Sequence, residues 1–466
     1  MSKDTGPRLC ARNLPSGVPL PGYDRDEKRV GIVHFGLGAF TRAHQAWYTD
    51  RAMALAGGDW MIAGVSLRSP AVGEQLNPQD GLYALAEKSG AGTALSVIGS
   101  VREVLLATKQ RASIATCLVA PTTHIVTFTV TEKGYCRKSD GSLDFVLAAQ
   151  GFYPILADAL AQRRAAGIGG LTLLSCDNLA DNGHQLRRLL GQWLEAQDAG
   201  LARWVEETCT FPCSMVDRIV PATTPEDRDT AEAVLGLRDE GLVVTEPFSQ
   251  WVIEDRFAGS RPDWDKVGAQ IVADVAPYET AKLRMLNGAH SALAYCGLLA
   301  GHAYVHETVA DPVLATLVER LMREEAAPTI DAATGQDLSA YAAELLARFA
   351  NPALGHRLIQ IAMDGSQKIP QRWLATLAAN RARGRRCPAI LAGLAAWLRH
   401  VRGDNTATWG RVDDPRATEL AVAWQEHGAT GIVEALFGSG GMMASDWQPD
   451  PEDIALISAA LAEPVA

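Results

Sequence analysis

The stretch RVGIVHFGLGAFTRAHQAWYTD, residues 29–50, decides how the chain is read. Residues 29–35 form a short apolar run, the pattern of a strand buried on both faces of a parallel sheet. Gly36-Leu37-Gly38-Ala39-Phe40-Thr41 follows directly, and a helix is expected over 43–56. A strand, a Gly-x-Gly turn and a helix in that order suit a dinucleotide. The first glycine permits the tight turn, the second lets backbone approach a pyrophosphate, and the helix start offers free N–H groups. Gly36, Gly38 and Phe40 are therefore the candidate cofactor contacts. Thr41 stands where the fingerprint has its third glycine, so the match is incomplete.

Outward from this unit the alternation continues. Residues 60–67, 124–130 and 171–175 read as further buried strands, with a helix around 152–165. Two alternating runs, 81–87 and 94–98, predict an antiparallel hairpin appended to the main sheet. The second strand ends Leu67-Arg68-Ser69-Pro70-Ala71, with no carboxylate before Glu74 to hold a ribose 2′-hydroxyl. Arg68 suits adenine stacking or a 2′-phosphate, so NAD and NADP both stay open. From Pro277 onward the pattern changes, and 280–300, 312–325, 338–350, 388–401 and 416–427 all favour helix. The expected organisation is an α/β domain with a parallel sheet over 1–275 and a mostly helical domain over 276–466. A cleft between two such domains is a usual place for a ligand.

Composition narrows the partners. The 466 residues are 47% hydrophobic and 21% charged, with a formal net charge of −11. An acidic surface repels phosphate backbones and anionic membranes, so neither nucleic acid nor a membrane is expected. The polar start, residues 1–17, has no stretch of signal-peptide type, and no run reaches membrane-span length; a cytoplasmic protein is expected. Eight cysteines are scattered through apolar segments, the pattern of reduced buried thiols. His34, His44, His184 and His290 form no ligand-spaced set with Cys or Glu, so no metal is expected.

The chemistry concentrates in KLRMLNGAH, 282–290. Read as a regular helix, Lys282, Asn287 and His290 share an arc of about 140° with Leu283, Leu286 and Leu293. Polar groups on a buried face are costly unless paired or used. Oxidising an alcohol needs a base for the hydroxyl proton, donors for the developing alkoxide and a cofactor for the hydride. A lysine serves as that base if burial lowers its pKa from about 10.4 to roughly 7–8. Asn287 suits the alkoxide, and His290 suits a neighbouring hydroxyl. Asp177-Asn178 at a strand end, the Asp217-Arg218 pair inside an apolar run, and Lys368 with Arg372 in DGSQKIPQR (364–372) are further polar groups. The last two supply local positive charge of the kind an anionic substrate needs.

These stretches together resemble the mannitol dehydrogenase family of long-chain polyol-specific dehydrogenases. GIVHFGLGAFTRAHQAWYTD (31–50), TVTEKGY (129–135), LSCDN (174–178), MVDRI (215–219), EPFSQWVIED (246–255), KLRMLNGAHSALAY (282–295), RFANPAL (348–354) and MDGSQKIP (363–370) carry the resemblance, in the family's order along the chain. It implies a Rossmann-like N-terminal domain, a helical C-terminal domain and metal-independent, nicotinamide-linked chemistry. It further implies Lys282 as general acid/base, Asn287 and Asn178 as alkoxide partners, His290 beside them, and Asp217 and Lys368 as substrate contacts. The family is often monomeric, so a monomer or weak homo-oligomer is expected. The chain departs from the mannitol type at Pro70 and Ala71, where an acidic residue is common, and at Gln360 and Gln371-Arg372, where an Arg and a second Lys are usual. TFPCSMVDRIVPATT (210–224) and IQIAMDGSQKIPQR (359–372) look more like the fructuronate reductase branch. The expected substrate is then a linear sugar acid such as D-mannonate or D-fructuronate, with Arg372 on its carboxylate; a polyol such as mannitol, arabinitol or sorbitol is the alternative.

Overall fold

The structure is a computed structural model that describes residues 6–462; the first five residues of the polar start lie outside them. The chain divides into two compact units, Met1–Val275 and Ala276–Ala466.

The first unit is built on a parallel five-stranded sheet. Its strands, in spatial order, are Val101–Leu106, Met61–Ser66, Val30–Phe35, Ile125–Phe128 and Thr172–Ser175. Numbered by chain order within this sheet, that is 3-2-1-4-5. The order reverses between Val30–Phe35 and Ile125–Phe128, and ligands of such sheets bind outside the strand ends at that switch point. Alternation along the strands covers both faces. Val33, Phe35, Val126 and Phe128 pack with Ile114, Leu156 and Leu190 of the helices Arg111–Val119, Tyr153–Ala165 and Asn182–Gln197. Ile32, Ile62, Ile125 and Leu174 pack on the other face with Ala46, Tyr48, Trp251 and Trp264. This is the Rossmann-like arrangement, a sheet with apolar cover on both sides.

Three expectations need correction. The hairpin forms, as Tyr83–Ser89 against Gly92–Ile98, but it joins Val243–Thr245 in a separate three-stranded sheet rather than the main one. A third sheet pairs Gln250–Glu254 with Ser214–Asp217 and Gln270–Val272. The helix after the Gly-x-Gly turn begins earlier than expected and is broken: Ala39–Ala43 and Gln45–Ala56 meet at His44, whose backbone is non-helical. Arg218 accounts for the break. Its guanidinium, wholly shielded from solvent, donates to the carbonyls of Ala43 and Glu246 and pairs with Glu87. Arg218 of the MVDRI run therefore takes a charge partner from outside that run, in Glu87.

The second unit is helical. Gly288–Leu299 is buried nearly all round, and packs with Trp373, Trp397 and Leu394 in one core. Pro388–Arg402 lies against it, and Ala417–Phe437 bends at Gly428, where φ is 58°. The largest departure from expectation is local. Lys282–Asn287, Leu321–Ala326 and Pro370–Leu374 are π-helical turns within longer helical stretches. A regular 100° wheel consequently does not describe residues 282–287. No helix among the described residues is long and apolar enough to cross a membrane.

Candidate active site

In the first unit the Gly-x-Gly turn is fastened to the switch point by side chains. Gly36 adopts φ 93°, and a Cβ there would lie 2.2 Å from the carbonyl oxygen of Thr129, so only glycine fits. Gly38 is different. It is extended, and a Cβ would meet only the Gly36 oxygen, at 3.7 Å. Neither packing nor the backbone angle requires glycine at Gly38, and the open space over it admits close approach by a ligand.

Thr41, at the third fingerprint position, also has a structural account. Its hydroxyl meets His34 Nε2 at 2.9 Å and the Thr129 hydroxyl at 2.6 Å; His34 Nδ1 meets Thr127, and Thr129 donates to the Gly36 carbonyl. This network joins the first strand, the glycine turn and the end of the fourth strand, which a glycine at position 41 would leave incomplete. Burial pushes the His34 imidazole down to about 3. The neutral ring is therefore the folded form at neutral pH. The unfolded chain takes up its proton as pH falls through about 6.5, while the folded protein does not until about 3, so stability present above 6.5 is lost across that window. Urea unfolding of the protein and of His34→Gln at pH 7.5 and 5.5 is expected to show about 1.4 kcal/mol more loss in the unsubstituted protein. Equal losses would contradict the assignment.

Arg68 is exposed beyond the second strand, and Phe40 is half-buried, its ring stacked 5.1 Å from His44. Asn178 is exposed directly beyond the fifth strand. The carboxylate of its neighbour Asp177 is buried, and accepts from the backbone N–H of Val130 and Thr131 and from the Tyr135 hydroxyl. Burial raises the Asp177 pKa, and those three donors pull against it. Asp177 thereby ties the loop after the fourth strand to the strand that carries Asn178. Asp217 is buried at the end of its strand, opposite Gln250.

In the second unit the π turn that Lys282 and Asn287 bracket packs against both of the others. Arg372 sits on the Pro370–Leu374 turn, where Pro370 lacks the N–H that a regular turn needs. Arg372 Nη1 donates to the Asn287 carbonyl at 3.2 Å and to the Ser291 hydroxyl at 2.8 Å. The Trp373 indole donates to the Gly288 carbonyl at 3.1 Å. Such turns occur frequently at functional sites. Burial lowers the Arg372 guanidinium to about 10, which leaves it cationic at neutral pH. No acidic side chain among the described residues lies within ion-pair distance of it. Lys368 is half-buried and donates to the carbonyls of Ile361 and Met363. Its pKa is lowered by burial and then by Arg372.

His290, one helical turn beyond Asn287, is 9% exposed, and its Nε2 has no hydrogen-bond partner among the described residues. Its ring packs on Phe349 and edge-on to His356, 5.3 Å away. Burial, then His356, Arg372 and Arg348, hold its pKa well below the usual histidine range. A neutral imidazole with an orphaned nitrogen fits contact with a neutral hydroxyl group. Sequence reasoning does not single out His356; its only signal there is its place just after RFANPAL.

His184, which has no ligand-spaced partner in the sequence, lies beside Asp181 and Cys213 in the fold, each offering an atom that could ligate a metal. All eight cysteines are free thiols.

A parallel sheet with its glycine turn at the switch point defines a Rossmann-like fold of the nucleotide-binding kind, and similarity to known proteins narrows it to one family. The chain belongs to the mannitol dehydrogenase family: residues 30–266 match the mannitol dehydrogenase Rossmann domain and 274–455 the mannitol dehydrogenase C-terminal domain. It is 41% identical to D-mannonate oxidoreductase of Escherichia coli (strain K12) over 96% of this chain and 95% of that one. It is 39% identical to mannitol 2-dehydrogenase of Pyrenophora tritici-repentis (strain Pt-1C-BFP), over 89% of this chain and 77% of that one. Among solved structures, the ternary complex of Pseudomonas fluorescens mannitol 2-dehydrogenase with NAD and D-mannitol matches with a TM-score of 0.82. The two share 35% identity, over 97% of this chain and 96% of that one. The protein is therefore an enzyme, a dehydrogenase of the class that acts on polyols or sugar acids.

Proposed function

We propose that the enzyme interconverts a linear sugar acid and its keto form, D-mannonate and D-fructuronate, with NAD as the hydride carrier. The observation that carries the substrate class is Arg372. It is a half-buried guanidinium hydrogen-bonded to the Lys282–Asn287 turn, with no carboxylate counterion among the described residues. A desolvated cation is costly unless an anion meets it, and a planar guanidinium matches a carboxylate. Lys368 adds charge nearby. The 41% identity to D-mannonate oxidoreductase supports the same substrate.

The cofactor reading rests on Gly36 and Gly38 with the turn they form, and on the NAD-bound relative. Phe40 and Arg68 are proposed as further contacts. When bound, the nicotinamide supplies the acceptor for the substrate's hydride. The remaining steps belong to the protein. Lys282 Nζ takes the hydroxyl proton as the C–H bond breaks. The amides of Asn287 and Asn178 donate to the developing alkoxide, a role worth about 3–4 kcal/mol per donor in comparable sites. His290 orients an adjacent hydroxyl, Asp217 accepts from another, and Arg372 with Lys368 holds the carboxylate. These roles follow the family pattern and the chemistry of each side chain. In reduction the proton returns from Lys282.

Oxidation of a neutral polyol is the second reading, supported by the 39% identity to mannitol 2-dehydrogenase. Arg372→Ala separates the two. Losing one charge-assisted contact of about 2 kcal/mol should raise the Michaelis constant for D-mannonate roughly thirtyfold. An unchanged constant would dispose of the carboxylate role.

A further inference from the structure

The fifth strand of the main sheet ends in a turn that leads to the helix Asn182–Gln197. Asp181, the residue before that helix, adopts a left-handed backbone with φ 55°. Its Oδ1 lies 2.5 Å from His184 Nδ1. Cys213, on the segment entering the strand Ser214–Asp217, puts Sγ 3.7 Å from each of those two atoms. Carboxylate oxygen, imidazole nitrogen and thiol sulfur thus form one small triangle. The thiol is at its buried corner, and the other two side chains open to solvent.

We propose that Asp181, His184 and Cys213 bind a thiophilic divalent cation of the zinc class, using none of the groups assigned to catalysis. The edge lengths support this. Bonds of about 2.3 Å to sulfur and 2.0 Å to nitrogen and oxygen give tetrahedral edges of about 3.5 Å to sulfur and 3.3 Å between nitrogen and oxygen. The two sulfur edges are already near that length. Only the Asp181–His184 edge must open, and the Cys213 thiol gives up its proton to solvent as sulfur binds the cation as thiolate. Three protein ligands with an exposed side leave a fourth position for water. Sulfur with nitrogen selects zinc, cobalt or cadmium over magnesium or calcium.

The ligands are also held in place before any ion arrives. Asn182 accepts from the Ser214 N–H at 3.0 Å and donates to the Ser214 carbonyl at 2.7 Å. It donates also to the Asp177 carbonyl. Gly183 lets the carbonyls of Phe211 and Pro212 approach so closely that a Cβ there would lie 2.6 Å or less from their oxygens. The segment carrying Asp181 and His184 is therefore locked to the one carrying Cys213. Preorganisation of this kind lowers the ordering cost of binding.

The test is a Co²⁺ titration of the tag-free full chain, reading the near-ultraviolet thiolate-to-cobalt charge-transfer band. One equivalent should bind and develop the band. Cys213→Ser should abolish it, and His184→Ala should weaken Co²⁺ binding about tenfold or more, since even an outer-shell partner is typically worth 10–100-fold. Thermal unfolding of each variant confirms folding, and His184→Ala decides the matter if the cysteine variant does not fold. A band that survives Cys213→Ser, an affinity unchanged in His184→Ala, or no saturable binding would overturn the proposal. None of these readouts depends on the substrate assignment.

Discussion

Replacing Lys282 by alanine is expected to lower kcat about a thousandfold, while folding and NAD binding persist. A positioned general acid/base typically contributes about 10²–10⁴-fold, and Lys282 is the amine proposed to take the hydroxyl proton. It sits at the start of a π turn whose other end, Asn287, is hydrogen-bonded through its carbonyl to Arg372. An alanine there keeps the backbone of the turn and removes the amine proposed to accept the proton. The loss should therefore appear in kcat, and small primary amines added to the variant should recover part of it. A variant with near-normal turnover would show that the proton leaves by another route. A variant that fails to fold would mark the lysine as structural.

The second large effect separates two glycines that look alike in the sequence. At Gly36 a side chain must take φ 93° and place its Cβ 2.2 Å from the Thr129 oxygen. Thr129 is tied to His34 and Thr41, so the clash spreads into the network at the switch point. Gly36→Ala should destabilise the protein by about 3 kcal/mol or more. At Gly38 the same change meets nothing closer than 3.7 Å. Gly38→Ala should keep stability within about 1 kcal/mol, yet raise the Michaelis constant for NAD about tenfold or more, because the methyl occupies the space the pyrophosphate needs. Urea unfolding and cofactor titration of both variants read this directly. Equal cofactor affinity in Gly38→Ala and the unsubstituted protein would remove the main physical support for the cofactor's placement.

The legible part of the fold was the part written locally. Residues 30–35, 61–66 and 172–175 are apolar runs bounded by turn residues, and they became strands because continuous apolar character demands cover on both faces. The Gly36-x-Gly38 turn was readable for the same reason. Thr41 was not, because its partner Thr129 lies 88 residues away and only the 3-2-1-4-5 order brings it beside Thr41. The segment proposed to carry catalysis, residues 282–290, was legible as residue types and misread as geometry. A wheel at 100° per residue presumes regular turns, and residues 282–287 and 370–374 are π-helical. The Arg218–Glu87 pair and the Asp181–His184–Cys213 triangle were hidden by sequence distance alone: 131 residues separate the first pair and 29 separate His184 from Cys213. For Arg218 the neighbour in the sequence, Asp217, drew attention instead.

The most direct test of the central claim follows NADH absorbance with the purified enzyme given NAD and, in parallel, D-mannonate and D-mannitol. The account predicts steady NADH formation from D-mannonate at a kcat/KM at least tenfold above that for D-mannitol. Turnover of D-mannitol with none of D-mannonate would contradict the sugar-acid assignment and leave Arg372 without its carboxylate.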